Sequence, residues 1–233
     1  VIVESTYAKS QHESKEEGVE KLRRAILETA SRGGTLMIPI FVIEKTQEIL
    51  FELNYLMENK KIPKVPIFLD SPLAIKAVDI YRKYEDLYNR SSQNLIKYGD
   101  DIFDFPGLKF TLTKDESKQI NLVHPPKVIL ASSGMCVGGR IPYHLLQNLD
   151  HRLSHLLFVA YQAPGSLGRK ILQGDQRVYI DNQEVEVKAQ VSVINSFSSH
   201  ADAPRIMDWL KHISQPKPKT VFVNHGEEDS NNV

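Results

Sequence analysis

One cysteine, Cys136, stands in 233 residues. A single thiol forms no internal disulfide and supplies no cysteine-based zinc site, and it favours a reducing compartment, here the cytoplasm. Net charge is missing too: 29 lysines and arginines balance 29 aspartates and glutamates. The total charge therefore points to no polyanionic partner, although a local groove can be basic in a neutral protein. There is no apolar run long enough to span a bilayer, so no membrane role is expected. The opening "VIVESTYAKS" has neither an initiator methionine nor the basic leader and longer apolar core of a signal peptide. It reads as the end of a buried strand already under way, and "HGEEDSNNV" stops just past another strand. Both ends lead to the expectation of a piece of a longer protein.

What is present is an alternation of short apolar runs with helical patterns, the mark of βα units around a largely parallel sheet. "VIVES", "TLMIPIFVI", "VPIFLD", "PKVILA" and "HLLFVAY" read as strands. The stretch "HESKEEGVEKLRRAILETASRGG", with Val19, Leu22, Ile26 and Ala30 on one face, reads as a helix ended by Gly33-Gly34, and "EKTQEILFELNYLMEN" as another burying Ile49, Leu50 and Leu53. Residues 89–125 are polar and irregular and predict a helix with long surface connections. "RVYIDNQEVEVKAQVSVINSF" alternates like antiparallel strands about an Asp-Asn turn. A helix from Ala203 to about Ile213 and the strand "TVFVNH" close the chain.

In open α/β sheets, active groups gather beyond the carboxyl ends of strands. Glu4, the 132–140 loop, His200 and His225 all hold that position. His225 suits a zinc ligand when cysteine is scarce, although taken alone it reads more readily as a loop histidine with an ordinary hydrogen bond. His200, in "NSFSSHADAP", suits general acid–base work with a carboxylate such as Glu4 as its partner. Asp202 beside it either orients the ring or caps the following helix. "ASSGMCVGGR" is a glycine-rich strand-to-helix turn in which Ser132, Ser133, Gly134, Gly138, Gly139 and Arg140 could meet an anion, or simply make a tight turn; it lacks the Gly-Lys-Ser/Thr ending of a Walker loop. Most of the remaining histidines read as surface or satisfied residues.

Together, "VESTYAKSQHE", "IPIFVIEKTQEIL", "DSPLA", "ILASSGMCVGGR", "YQAPGSLGRKILQG", "FSSHAD" and "VNHGE" run in the order found in β-CASP ribonucleases of the metallo-β-lactamase superfamily, and nearly the whole chain resembles their RNA-cleaving branch. The resemblance implies an α/β fold: a β-CASP cap at 9–196 with a largely parallel sheet flanked by helices, a metallo-β-lactamase strand at 1–8, and at 197–233 the strand-helix-strand end of that domain's αββα sandwich. It implies Glu4 and His200 as the acid pair at the leaving-group side of a phosphodiester, His225 as a zinc ligand, and His12 and the 132–140 loop near the substrate. It also implies two zinc ions in the full-length protein, RNA as the partner, and a homodimer or an RNA-processing complex. The other zinc ligands of the family would precede "VESTY", so the 233 residues alone are expected to be inactive. Departures are Ala8-Lys9-Ser10, where the family has Gly-Asp/Asn-Arg, and Glu44-Lys45, where it has Gly-Arg. Two alternatives stay open: a non-catalytic RNA-binding scaffold, and a hydrolase of small phosphoesters.

Overall fold

The computed structural model describes residues 1–99, 101–213 and 217–228. Strand β1 (Ile2–Glu4) leads to helix α1 (Lys15–Ser31). The helix opens on a reciprocal cap, in which Ser14 Oγ accepts from the Glu17 N–H and the Glu17 carboxylate accepts from the Ser14 N–H. It ends at Gly33, whose φ of +66° belongs to the left-handed region. Strand β2 (Thr35–Pro39), helix α2 (Lys45–Glu58), strand β3 (Ile67–Asp70) and helix α3 (Pro72–Lys83) continue the alternation. The polar stretch 89–125 holds helices α4 (Arg90–Lys97) and α5 (Lys114–Gln119), and between them strand β4 (Leu108–Phe110). Three residues are too few to show an alternation; pairing against β3 is what makes them a strand.

Strand β5 (Lys127–Ala131), helix α6 (Ile141–Asn148), strand β6 (His155–Phe158) and helix α7 (Leu167–Leu172) follow. Strands β7 (Arg177–Ile180) and β8 (Gln183–Glu186) form an antiparallel hairpin, its turn made by Asp181 and Asn182 at positive φ. The expected antiparallel run stops there: strand β9 (Gln190–Val193) instead pairs parallel with β6. Helix α8 (Ala203–His212) and strand β10 (Phe222–Asn224) complete the described chain. The expected C-terminal piece at 197–233 includes residues 214–216 and 229–233, which lie outside the described residues.

The main sheet has the order β4-β3-β5-β2-β6-β9, with every pair parallel. Its four inner strands are buried at every position, as a sheet covered on both faces requires. Successive residues serve opposite cores. Leu36 and Ile38 join α1, α2 and α3 on one face, while Met37, Ile129 and Phe158 join α6, α7 and the hairpin on the other. A second, two-stranded sheet pairs β1 with β10 in parallel, with Glu4 opposite Asn224. Among the described residues, no helix is long and apolar enough to cross a membrane.

Candidate active site

The β1–β10 pairing sets the site. Glu4 ends β1 and His225 follows β10, so both leave the small sheet at its carboxyl edge. His225 stands at φ +56°, with its N–H bonded to Asn224 Oδ1 at 2.8 Å. A left-handed histidine is uncommon, and here it marks a sharp bend at the strand end. His200 arrives from the loop before α8. Asp202 caps that helix: one oxygen accepts from the Arg205 N–H at 3.3 Å and the other from the His12 N–H at 2.9 Å. Asp202 is thus the cap of the two alternatives, and the carboxylate facing His200 belongs to Glu4.

Glu4 Oε2 accepts from the Thr6 N–H at 2.8 Å and lies 3.4 Å from His200 Nδ1; Oε1 accepts from the Ala201 N–H at 3.0 Å. Burial pushes the Glu4 carboxyl up, but the bonds from Thr6 and Ala201, with the His200 charge, leave it below the usual glutamate value. The His200 and His225 rings stack 5.1 Å apart at 24°. Candidate ligand atoms of Glu4, His200 and His225 lie within 4.8 Å of one another. Two imidazoles and a carboxylate form a nitrogen–oxygen donor set that zinc accepts. Both Glu4 oxygens already take backbone N–H bonds, which suits this carboxylate to holding His200 better than to binding an ion.

These groups open on a cavity of about 530 Å³ whose other walls include Phe41, Ile43, Glu44, Met135, Tyr161 and Glu227. Glu44 sits at φ +66°, so a backbone conformation that favours glycine is kept by a glutamate. Its carboxylate accepts from the Ser199 hydroxyl at 2.9 Å, next to His200. Lys45 Nζ donates to the Phe197 carbonyl and pairs with Glu48 at 2.7 Å. The Glu44-Lys45 pair thereby anchors the segment that delivers His200. Across the cavity, Glu227 accepts from the Tyr161 hydroxyl and forms an ion pair with Arg169 at 3.0 Å, joining α7 to the loop after β10.

The other expected contacts fall elsewhere. His12 packs edge-on against Tyr7 at 4.6 Å, its buried ring nitrogens unpartnered, and it does not line the cavity. Burial pulls its pKa below the ordinary histidine value. In the 132–140 loop, the Ser132 carbonyl accepts the N–H groups of Arg140 at 2.7 Å and Ile141 at 2.9 Å, so the start of α6 is closed by its own loop. Ser132 Oγ meets Ser71 Oγ at 2.9 Å, and the Ser133 N–H bonds to the Gly138 carbonyl at 3.0 Å. Arg140 donates to Asp70, to the Thr111 carbonyl at 2.9 Å and to the Leu112 carbonyl at 2.7 Å. Gly139 lies at φ +70°, where a Cβ would fall 2.1 Å from the Ser132 oxygen. The loop touches the cavity through Met135, with Gly134 packed against the Phe41 ring.

Thr6, Tyr161 and Glu227 were missed as functional candidates. Thr6 stands inside "VESTY", in the turn just past the end of β1. Tyr161 and Glu227 stand at the ends of two motifs that carry the resemblance, "YQAPGSLGRKILQG" and "VNHGE", but no local pattern marks their contact with each other.

Residues 46–171 match the Beta-Casp domain, and residues 184–231 match the Zn-dependent metallo-hydrolase RNA specificity domain. The chain is 35% identical over 229 residues to ribonuclease TTHA0252 of Thermus thermophilus, covering 98% of this chain and 52% of that relative. It is 31% identical over 236 residues to transcription termination factor FttA of a Lokiarchaeum species, and 30% identical over 237 residues to FttA of Methanosarcina mazei; each match covers 98% of this chain and 37% of the relative. The chain thus spans about half the length of the first and little more than a third of the other two.

Proposed function

The chain belongs to the β-CASP family, and from that premise we propose that it forms part of a zinc-dependent ribonuclease hydrolysing RNA phosphodiester bonds in RNA processing or decay. The observation carrying this reading is the convergence of Glu4, His200 and His225 on one edge of the cavity. The RNA-specificity family at 184–231 and the name of the Thermus relative support zinc and RNA as the partners. In this reading the protein acts in the cytoplasm, as a homodimer or within an RNA-processing complex.

His225 holds zinc. Two zinc ions need more donors than the three gathered among the described residues, so in this reading the longer protein would supply the rest. When bound, zinc supplies charge neutralisation at the phosphate and a nucleophilic water near neutral pH. His200, held by Glu4, hands a proton to the departing 3′ oxygen as the P–O bond breaks. Phe41 and Ile43 give the cavity an apolar wall. Glu44 and Lys45 keep the His200 segment in place.

The test uses the longer protein containing this chain, loaded with zinc and given end-labelled RNA. His225→Ala should lose zinc and cleavage together. His200→Ala should keep its zinc and cleave roughly 10²–10⁴ times more slowly. Undiminished cleavage by His200→Ala would overturn the acid assignment. RNA binding with no zinc-dependent cleavage would identify a scaffold, and turnover of small phosphodiesters in preference to RNA would identify the other hydrolase.

A further inference from the structure

Thr6 is buried, with 7% of its surface exposed, and its hydroxyl has three neighbours. They are the His225 carbonyl at 2.8 Å, His225 Nδ1 at 3.1 Å and His200 Nδ1 at 3.3 Å. A hydroxyl has one proton to give and two lone pairs to receive. A carbonyl can only accept, so the proton goes to it. The Glu4 carboxylate, also within the hydroxyl's influence, can only accept as well. In either case the lone pairs are left facing the two imidazoles, and each ring must carry its hydrogen on Nδ1. His200 Nδ1 points the same way in its approach to Glu4 Oε2 at 3.4 Å.

We propose that Thr6 is a positioning residue whose single oxygen sets the tautomer of His225 and, together with Glu4, that of His200. Neutral His225 then presents an Nε2 lone pair for a metal, and His200 exchanges its proton with substrate at Nε2. The inference rests on the roles proposed above for these two histidines. An imidazole ligand is oriented and made more basic when its second nitrogen donates a hydrogen bond. Here one hydroxyl does this for the metal-binding ring while orienting the acid, so the two functions depend on one side chain. Threonine suits the place because its branched Cβ restricts χ1 and holds the oxygen still.

Three variants and two readouts separate the outcomes. Nitrogen-15 NMR of the zinc-free protein reads the tautomers directly: His200 and His225, when neutral, should show protonated Nδ1 and bare Nε2. An Nε2–H tautomer at His225 in the unsubstituted protein overturns the proposal without any variant. Thr6→Val keeps the shape and removes the hydroxyl; it should mix the His225 tautomers, His200 keeping Glu4 as its acceptor, and weaken zinc binding roughly 10- to 100-fold. Thr6→Ala repeats that removal should valine fail to fold. Thr6→Ser should restore the His225 tautomer and bring zinc affinity back within a few-fold. Unchanged tautomers and affinity in Thr6→Val, or equal loss in Thr6→Ser and Thr6→Val, would make Thr6 a packing residue only. Hydroxyl-dependent tautomers in a protein that neither binds zinc nor cleaves RNA would sustain this inference while removing the ribonuclease reading.

Discussion

At the scale of single residues, burial and hydrogen bonding separate histidines of the same type into different roles. His155 is 2% exposed, with Nε2 2.7 Å from the Ser192 hydroxyl and Nδ1 3.4 Å from Thr29 Oγ1. Burial, helped by the Arg32 charge, pulls its pKa from 6.5 to about 4. The folded protein therefore holds His155 neutral where the unfolded chain would protonate it. Its contribution to stability is whole above pH 6.5 and falls away between pH 6.5 and about 4, a span worth roughly 3 kcal/mol. Urea unfolding at pH 7 and pH 4.5 should show this loss. His155→Gln, less stable at pH 7, should show a flatter dependence over the same interval; an unchanged slope would assign the acid sensitivity to another group. His200, at 38% side-chain exposure beside Glu4, remains open to the cavity and to exchange of its proton.

Between elements, Asp70 is the knot. It ends β3 and is fully buried, yet its carboxylate receives Thr111 Oγ1 at 2.6 Å, Ser117 Oγ at 2.5 Å and His144 Nε2 at 2.7 Å, together with Arg140. These donors lie in the segment after β4, in α5, in α6 and at the α6 cap. Burial pushes the Asp70 carboxyl up, but the bonds from His144, Ser117, Thr111 and Arg140 outweigh it and hold the pKa at about 2. A depressed carboxyl stabilises the fold above its unfolded value of 3.8, and that stability is lost as pH falls towards about 2. Asp70→Asn should cost about 3–5 kcal/mol at neutral pH, because Arg140 loses its buried partner. The difference from the unsubstituted protein should shrink below pH 4 in denaturant titrations. Gly139→Ala tests the neighbouring turn: its Cβ has no room against the Ser132 carbonyl and its φ is left-handed, so a loss of at least about 1 kcal/mol is expected.

For the molecule as a whole, the six-stranded and two-stranded sheets meet around the cavity. Arg169 and Tyr161 hold Glu227, while Glu44 and Lys45 hold Ser199 and Phe197. Burial and then the Glu227 hydrogen bond push the Tyr161 hydroxyl up to about 12, so it stays protonated and donating through the physiological range. The Arg169–Glu227 pair is partly exposed, and its effect on global stability should be below about 1 kcal/mol. Its effect on local opening should be larger. In Arg169→Met, hydrogen exchange at residues 222–226 should quicken while residues 127–131 in the middle of the main sheet stay unchanged. Equal exchange at 222–226 in both proteins would mean that the clasp does not hold the small sheet.

The sequence by itself determined the βα alternation, because strand period, helix period and the end of α1 at Gly33 are properties of a few adjacent residues. It also determined that Glu4, His200 and His225 stand at strand ends or helix starts, and motif order tied them to one family. Only the tertiary structure decided which strands pair. Leu108–Phe110 becomes β4 by lying against β3, and Gln190–Val193 leaves an apparent antiparallel run to join β6. Packing likewise chose the partners of polar groups: in the glycine-rich loop, which locally reads as an anion cradle or a tight turn, the Arg140 N–H and guanidinium turn to Ser132 and Asp70. Thr6 joins His225 from 219 residues away. Dihedral preference and hydrophobic period act over a turn of chain, whereas a buried donor must find whichever acceptor the closed fold brings within about 3 Å, and no local pattern records that choice.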